Sequence, residues 1–234
     1  MSPTQAAVGN RLLDSLPRKN RQRFLTDSEP VDLPIGAILA EPGERIRHAY
    51  FPTESFISLT TPTDMGTTLE VGLIGNEGML GISLILGVDL APLHALVQGE
   101  GKALRMTKAR FRRELGRSRS LERVMKRYLY VVMSQIAQTA ACTHFHRVEA
   151  RLARWLLMTH DRAHADRFHV TQEFLAFMLG VRRVGITKAA GALQMRNLIS
   201  YRRGDITILN RSGLEAAACA CYAVDKASYT RIMG

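Results

Sequence analysis

The spacing of apolar and polar residues changes twice along the chain. Residues 10–26 carry leucines at helical intervals, which predicts one short helix or a pair of them. From about residue 30 to 107, short apolar runs alternate with turn sequences such as LPIG, EPGE and IGNEG. Turn signals repeated about every eight to twelve residues are typical of an antiparallel roll or barrel. The clearest strand sequences in this region are FISLTT, TLEVGLI and HALVQ.

Helical spacing takes over after residue 107. Thr107 is placed to cap a helix that runs to about residue 115. Residues 118–146 contain neither Gly nor Pro, and their seam residues recur at spacings of four and three, which predicts one long helix. A second apolar row on this helix predicts contact with a partner chain, and the alternative is a helix buried within a monomer. The seam consists of Leu121, Met125, Tyr128, Val132, Gln135, Thr139, Cys142 and His146.

The remaining segments predict a small helical domain with a hairpin. Residues 147–162 have the apolar spacing of a helix, and residues 163–169 have the polar composition of a loop. The sequence LISYRRGDITIL predicts a two-stranded hairpin with a basic tip. A final helix is expected after it.

Residues 170–197 have the pattern of a helix-turn-helix. Thr171 is placed to cap the first helix, and Gly180 fits a left-handed turn residue after it. Ala176 and Ile186 supply the small and branched side chains that two closely crossing helices need. A basic outer face on the second helix suits base edges and phosphates in a major groove. We expect Arg182, Arg183, Thr187 and Lys188 to meet the major groove, and Thr171, Gln172, Arg202 and Arg203 to meet phosphates. The alternative is a helical core with a solvated basic rim.

The charge is concentrated in the same half of the chain. The formal net charge is +11, and residues 118–234 carry 18 basic and 8 acidic side chains, against 14 and 13 in residues 1–117. Such asymmetry indicates a polyanionic partner, with double-stranded DNA as the first candidate. An anionic membrane surface is the second, but no amphipathic Trp/Lys helix supports it.

One stretch in the first half is almost without charge. GMLGISLILGVDLAPLHALV, residues 78–97, contains Asp89 as its single charge, and Gly and Pro divide it into pieces of strand length. No window reaches the ~18 apolar residues that a membrane span needs, and no secretory signal follows Met1. The three cysteines are too few for a disulfide framework, so we expect a cytoplasmic protein with reduced thiols.

The long helix, the helix-turn-helix and the basic hairpin together resemble the family of cyclic-AMP receptor protein and fumarate–nitrate reduction regulator (Crp/Fnr). The match is strongest over residues 147–222 and runs without a gap from TQEFLAFMLGVRR to NLIS. The resemblance implies an α+β fold with a β-roll sensor-like domain over 1–117, a dimerisation helix over 118–146 and a winged helix-turn-helix over 147–234. It also implies a homodimer on a two-fold operator and an effector pocket in the roll, and it leaves RNA polymerase open as a further partner.

The reading helix departs from the family pattern at one position. Arg182 takes the place of the cap residue, Arg183 that of the family's arginine, and Lys188 that of the later basic residue. Val184 replaces a glutamate that accepts a hydrogen bond from a cytosine amine. Because valine can only contact a thymine methyl, we expect a different operator base there.

The effector segment departs more strongly. Cyclic-nucleotide members hold the phosphate and ribose with a Gly-Glu pair and an Arg-Ser/Thr-Ala run. Here Ile82 stands in the glutamate position, and Leu93 and His94 stand in the Arg-Ser positions. No Lys or Arg occurs between residues 48 and 101, and burying a phosphate without a cation costs several kcal/mol. We therefore expect a degenerate pocket, control by something other than cyclic AMP, and an effector that the sequence leaves unknown.

Several short motifs suggest metal or redox chemistry without completing a site. The sequence CTHFH, residues 142–146, contains soft metal ligands. His160 and His164 have the i,i+4 spacing of metal-binding histidines. The C-x-C of Cys219 and Cys221 supplies too few ligands for a closed zinc site alone. No N-terminal cysteine cluster for iron–sulfur binding precedes Cys142. We expect no metal and no cofactor.

A metal- or redox-responsive regulator remains an alternative, as do a cupin-like metal enzyme and a non-specific DNA-coating protein. No nucleophile elbow, phosphate loop or paired-carboxylate motif supports an enzyme.

Overall fold

The computed structural model describes residues 9–62 and 68–234. Their contacts divide the chain into two compact units. The first unit contains residues 9–58, 74–130 and 233, and the second contains residues 59–62, 68–73, 131–232 and 234. The division into a roll, a dimerisation helix and a winged domain stays a prediction.

A pair of short helices opens the first unit, as predicted. Helix α1 (Arg11–Asp14) and helix α2 (Arg18–Thr26) follow the buried Asn10. The Asn10 side chain accepts a hydrogen bond from the backbone of Leu13 and donates to the carbonyls of Pro52 (2.9 Å) and Gly78 (3.0 Å). One cap residue thus starts the helix and fixes it against two parts of the roll.

Seven strands in two sheets build the roll, which confirms the predicted fold class. In the first sheet β7 lies between β1 and β3 and pairs antiparallel with both. The second sheet has the order β2-β6-β4-β5, and β2 pairs antiparallel with β6. On β3, Ala49 and Phe51 point inward at alternate positions, whereas β4 is buried on both faces over residues 56–60. The strands are β1 (Glu29–Leu33), β2 (Ile38–Ala40), β3 (His48–Pro52), β4 (Phe56–Pro62), β5 (Thr68–Ile74), β6 (His94–Gly99) and β7 (Gly101–Thr107).

The uncharged stretch is not a series of strands, which corrects the prediction for its first part. Gly81 (φ 96°) and Gly87 (φ 79°) both adopt the left-handed conformation and bracket a short 3₁₀ helix, Ile82–Leu86. The two left-handed residues that flank this helix prevent an extended backbone through the segment. The last part of the stretch does form a strand, β6. No helix in the described residues is long and apolar enough to span a membrane.

Two helices follow the roll, and both were predicted. Helix α3 (Lys108–Arg117) begins at Thr107, whose hydroxyl accepts from the backbone of Arg110. Helix α4 (Arg119–Phe145) has 27 residues and is about 40 Å long. Four residues of the predicted seam are buried within the chain: Leu121, Met125, Tyr128 and Cys142. Three exposed apolar side chains of α4, Tyr130, Met133 and Ile136, lie on a different row, and Phe145 is exposed at the end of the helix.

Besides parts of β4 and β5, the described residues of the second unit form a group of helices and a three-stranded sheet. Its buried centre is apolar and includes Leu152, Leu156, Leu175, Ile186, Leu193 and Ile206, all without exposed surface. The elements are α5 (Val148–Ala163), β8 (Arg167–His169), α6 (Gln172–Leu179), α7 (Arg183–Met195), β9 (Ile199–Arg202), β10 (Asp205–Ile208), α8 (Arg211–Ala217) and α9 (Cys221–Met233).

Strand β8 was predicted as loop, and that prediction was wrong for residues 167–169. β8 pairs antiparallel with β10, which places His169 opposite Asp205, and β9 lies on the other side of β10. Three residues are too few to show an alternating pattern. The strand exists because a partner distant in sequence supplies its hydrogen bonds.

Candidate nucleic-acid interface

Helix α6 begins at a hydroxyl cap and ends at a left-handed glycine. The Thr171 hydroxyl accepts from the backbone of Phe174 at 3.1 Å. Gly180 has φ 59° and donates to the Phe177 carbonyl, and the next residue, Val181, donates to Ala176. These bonds close the turn that leads into α7 and confirm the predicted helix-turn-helix.

Helix α7 divides into a buried face and a basic exposed face. Ile186, Ala189, Ala190 and Leu193 are buried against the rest of the domain. The spacing of these residues leaves the other side to solvent, and the exposed residues there are Arg182, Arg183, Val184, Thr187, Lys188 and Gln194. Arg182 is the N-cap residue, and its side chain makes no capping bond. The first turn of α7 carries no acidic residue, so the helix dipole is available to an anion.

A hydrogen bond connects the two helices at this surface. The Thr187 hydroxyl lies 2.7 Å from Gln172 Oε1 and 3.2 Å from the Arg183 carbonyl, and it can donate to either. Gln172 is the first residue of α6. The bond to Gln172 therefore joins two of the residues that we expect at the DNA. The sequence pattern gave no sign of this contact.

The hairpin of β9 and β10 ends in a two-residue turn. Arg203 (φ 52°) and Gly204 (φ 90°) both have positive φ, as a type I′ turn requires. Arg202 and Arg203 are exposed at its tip. On β9, close to the turn, the Tyr201 hydroxyl donates to the Val170 carbonyl at 2.7 Å. Burial raises the pKa of Tyr201 to about 12.

Two basic residues next to the wing were missed by sequence reasoning. The Asp205 carboxylate accepts from Arg167 at 2.9 Å and lies 3.1 Å from His169 Nδ1. Its hydrogen bonds, first with His169 and then with Arg167, lower the pKa of Asp205. Both basic side chains are exposed, on strand β8. Because β8 was not predicted, nothing in the sequence placed them beside the wing.

The cations of the predicted interface differ from others in the same unit. Arg167, Arg196 and Arg211 each form an ion pair with a carboxylate. Among the described residues, no carboxylate pairs with any of five exposed cations at α7 and the wing, namely Arg182, Arg183, Lys188, Arg202 and Arg203. A group of uncompensated cations on one structural motif is the electrostatic pattern expected of a phosphate-binding surface.

Comparison with known proteins identifies this motif. Residues 150–217 match the family model described as a Crp-like helix-turn-helix domain. Solved Crp/Fnr-type regulators share the fold over at least 80% of the chain. Residues 150–217 are therefore a Crp-like helix-turn-helix domain. Comparison with curated protein sequences gave no significant match.

Three solved structures illustrate the shared fold of the Crp/Fnr regulators. The c-di-GMP-responsive global regulator CLP of Xanthomonas campestris has a TM-score of 0.67 and 18% identity, covering 82% of this chain and 99% of CLP. FixK2 of Bradyrhizobium japonicum has a TM-score of 0.70 and 12% identity, covering 82% and 98%. A CRP-family regulator of Thermus thermophilus has a TM-score of 0.67 and 17% identity, covering 80% and 96%. At these identities the likeness concerns the fold.

The residues expected at a degenerate effector pocket are mostly apolar. Ile82 and Leu93 are half-buried, and His94 Nδ1 lies 2.8 Å from Glu41 Oε2. Arg45 and Lys108 approach the same stretch, but both bind Asp89, at 3.1 and 2.7 Å. The hydrogen bond from Lys108 is the main reason why the pKa of Asp89 is lowered. Both cations therefore share the single carboxylate of Asp89.

In the folded chain, the cysteines and histidines of the short metal-type motifs are grouped differently from their order in the sequence. His160 does not combine with His164, because its ring nitrogens face Asp166 and Arg211. Instead, Cys142 and His146 meet Cys219 and Cys221 within the second unit. The four donor atoms all lie within 4.8 Å of one another. His144, which the sequence grouped with them, does not belong to this cluster.

One thiol of this cluster is strongly acidic. A hydrogen bond with Cys219 lowers the pKa of Cys142 to about 4, and interactions with His146 and Arg154 act in the same direction. The same interaction raises the pKa of Cys219. Loss of a proton from Cys142 is thus favoured over loss of a proton from Cys219.

Proposed function

We propose that this protein is a cytoplasmic, sequence-specific transcriptional regulator that binds a two-fold DNA operator as a homodimer and is not controlled by cyclic AMP. The observation that carries the proposal is the group of five exposed cations without carboxylate partners on α7 and the wing. We divide the chain into a sensor-like roll (1–117), a dimerisation helix (118–146) and a DNA-binding domain (147–234).

The contacts are assigned by position on the helix-turn-helix and the wing. Arg182, Arg183, Thr187 and Lys188 face the major groove, where arginine can pair with both acceptors of a guanine. Thr171 and Gln172 at the start of α6 contact phosphates, as do Arg202 and Arg203 at the wing tip. Val184, 58% exposed on the same face, contacts a thymine methyl where other family members read a cytosine.

Selection of binding sites from random double-stranded DNA tests the proposal. We expect a two-fold sequence that differs from the half-site of the cyclic-AMP receptor at the base read by Val184. Recovery of that receptor's own half-site would contradict the assignment of Val184. Competition with bulk genomic DNA at physiological salt distinguishes the regulator from a non-specific coating protein, for which the selected site has no advantage.

Replacing single arginines separates base reading from phosphate binding. Arg183→Ala should cost about 1–3 kcal/mol of binding free energy and relax one base position. Arg203→Ala should weaken binding to all sequences and reduce the slope of affinity against salt by about one. Arg231→Ala, which removes an exposed arginine from α9, is the control and should change neither. An equal loss on all sequences for Arg183→Ala would make Arg183 a phosphate contact instead.

The homodimer is assigned to the exposed apolar row of α4. Tyr130, Met133 and Ile136 follow one another at a spacing of three and are 55%, 62% and 38% exposed. Residues at this spacing lie on one side of a helix, and a second copy would cover them. Met133→Glu should shift the sedimentation of the protein from dimer to monomer. Met195→Glu, the same change at an exposed methionine of α7, should leave the dimer intact, and a monomeric wild-type protein would end this assignment.

Effector control is tested by calorimetric titration. The half-buried Ile82 and Leu93 provide no cation for a phosphate, and Arg45 and Lys108 are bound to Asp89. We expect no micromolar binding of cyclic AMP. CLP, which shares the fold, responds to c-di-GMP, so this ligand belongs in the same titration series. Micromolar binding of cyclic AMP would contradict this expectation and would show that another cation binds the phosphate.

A further inference from the structure

All three cysteines of the chain converge on one histidine. They come from two segments about eighty positions apart: Cys142 lies in the last turn of α4, and Cys219 and Cys221 lie where α8 passes into α9. His146 stands one helical turn after Cys142, and its backbone amide donates to the Cys142 carbonyl at 3.1 Å. The three cysteines are buried, and His146 is half-buried.

The spacing of the donor atoms is that of a tetrahedral metal site. Zinc binds thiolate sulfur at about 2.3 Å and histidine nitrogen at about 2.0–2.1 Å. Neighbouring donors of a zinc tetrahedron are therefore about 3.6–3.8 Å apart. Here the sulfurs of Cys142 and Cys219 are 3.5 Å apart, and Cys221 Sγ is 3.5 Å from His146 Nδ1. Only small movements of side chains would close the tetrahedron, because all four donors already lie within 4.8 Å.

The surroundings orient these ligands as a metal site requires. The Gln138 amide donates to Cys221 Sγ at 3.0 Å, and metal-bound thiolates commonly accept such outer hydrogen bonds. The backbone amide of Cys219 donates to the Ala150 carbonyl, which holds the corner before α9 against α5. Cys142 also lines a cavity together with Thr139 and Thr143, which gives an ion a route to the site.

The charge of the surroundings also fits a bound ion. Arg151 is 8% exposed, donates to the Leu179 carbonyl, and interacts electrostatically with Cys142. Its buried neighbour Arg154 forms an ion pair with Asp225, so that pair is neutral. A divalent ion with three thiolates and a neutral histidine has a net charge of −1. That charge would balance the buried Arg151 guanidinium.

We propose that Cys142, His146, Cys219 and Cys221 bind one zinc ion in a closed, tetrahedral structural site. Two short motifs, C-x-x-x-H and C-x-C, are each insufficient alone and complete each other. The ion fastens the end of α4 to the corner between α8 and α9. It stabilises this part of the second unit, and metal binding releases the protons of the remaining thiols.

Metal analysis of the full-length protein tests the proposal. The chain is produced with zinc in the medium, purified without a polyhistidine tag, and analysed by plasma mass spectrometry. We expect about one zinc per chain. Cys219→Ser and His146→Ala should each reduce zinc to background, whereas His144→Ala, an exposed histidine in the same turn, should keep the full amount. Zinc loss from His144→Ala with retention in His146→Ala would overturn the ligand set.

A second measurement avoids variants that fail to fold. Cobalt(II) is titrated into the reduced, metal-free wild-type chain, and absorption is followed. Three thiolates and one imidazole should give the intense visible bands of tetrahedral cobalt and a thiolate charge-transfer band in the near ultraviolet, saturating at one equivalent. Gln138→Leu should weaken cobalt affinity by about tenfold or more while keeping the spectrum. If the folded, reduced chain carries no zinc and gives no charge-transfer band, the cysteines are ordinary core residues and the proposal fails.

Discussion

A buried ion pair joins the last helix, α9, to α5, and its removal is expected to destabilise the protein strongly. Arg154 on α5 donates to Asp225 on α9 at 2.7 Å, and the side chains are only 7% and 12% exposed. Asp225→Asn keeps the shape of the side chain and removes its charge. The arginine then stays buried without the carboxylate that neutralises it.

The size of the effect follows from the distance and the burial. Two unit charges 2.7 Å apart attract each other by about 6 kcal/mol at an effective dielectric constant of ~20. Burial opposes this attraction, and it raises the pKa of Asp225 even though Arg154 acts in the other direction. Breaking one side of a buried pair typically costs about 3–5 kcal/mol. Because asparagine can still accept a hydrogen bond, we expect the lower end, about 3 kcal/mol of unfolding free energy.

The single tryptophan provides the assay. Trp155 is 4% exposed, stands next to Arg154, and donates to Glu70 at 2.9 Å, so its fluorescence reports unfolding of the second unit. Urea unfolding of Asp225→Asn is compared with Glu215→Gln. The latter breaks an exposed pair with Arg211 and should cost no more than about 1 kcal/mol. If both variants lose the same small amount of unfolding free energy, the buried pair contributes no more to stability than the exposed pair, and the prediction is wrong.

Two further predictions concern the helix-turn-helix and the wing. Gly180→Ala should destabilise the domain by about 1–2 kcal/mol, because φ is 59° and the new Cβ would lie 3.0 Å from Leu69 Cδ1. Gly191→Ala, with open space around this position of α7, should instead stabilise the domain by about 0.5–1 kcal/mol. If both variants shift the urea midpoint in the same direction from the wild-type value, this prediction is wrong. Burial raises the pKa of Tyr201 from 10.0 to about 12, so the unfolded chain loses this proton first as the pH rises. Stability should therefore fall between pH 10 and 12. Tyr201→Phe should remove that part of the pH dependence, and an unchanged profile would show that Tyr201 is not its source.

Much of the fold was predictable because its signals are local. Thr107 and Thr171 act as caps, and Gly180 ends α6, since each depends only on its own turn. Strand β8 was not predictable, because its three residues are extended only through pairing with β10.

In the candidate sites, too, only the features that depend on local sequence were predictable. Exposure of Arg182, Arg183, Thr187 and Lys188 follows from helical spacing, so the outer face of α7 was predictable. The bond between Thr187 and Gln172 depends on how two helices cross, and no spacing rule gives it. The meeting of Cys142 with Cys219 depends on the packing of α4, α5 and α9, which is set by the whole domain.

The exposure of Val184 has a consequence for how such a regulator can diverge. Val184 stands beside Arg183 on the exposed face of α7, 58% exposed, while the domain core lies on the other side of the helix. Substitutions at exposed positions usually change stability by less than about 0.5 kcal/mol, whereas one base contact is worth about 1–3 kcal/mol. If Val184 contacts a base as proposed, a single codon change there would redirect the protein to other promoters at almost no cost in folding. Target genes can then be exchanged during evolution while the scaffold stays the same.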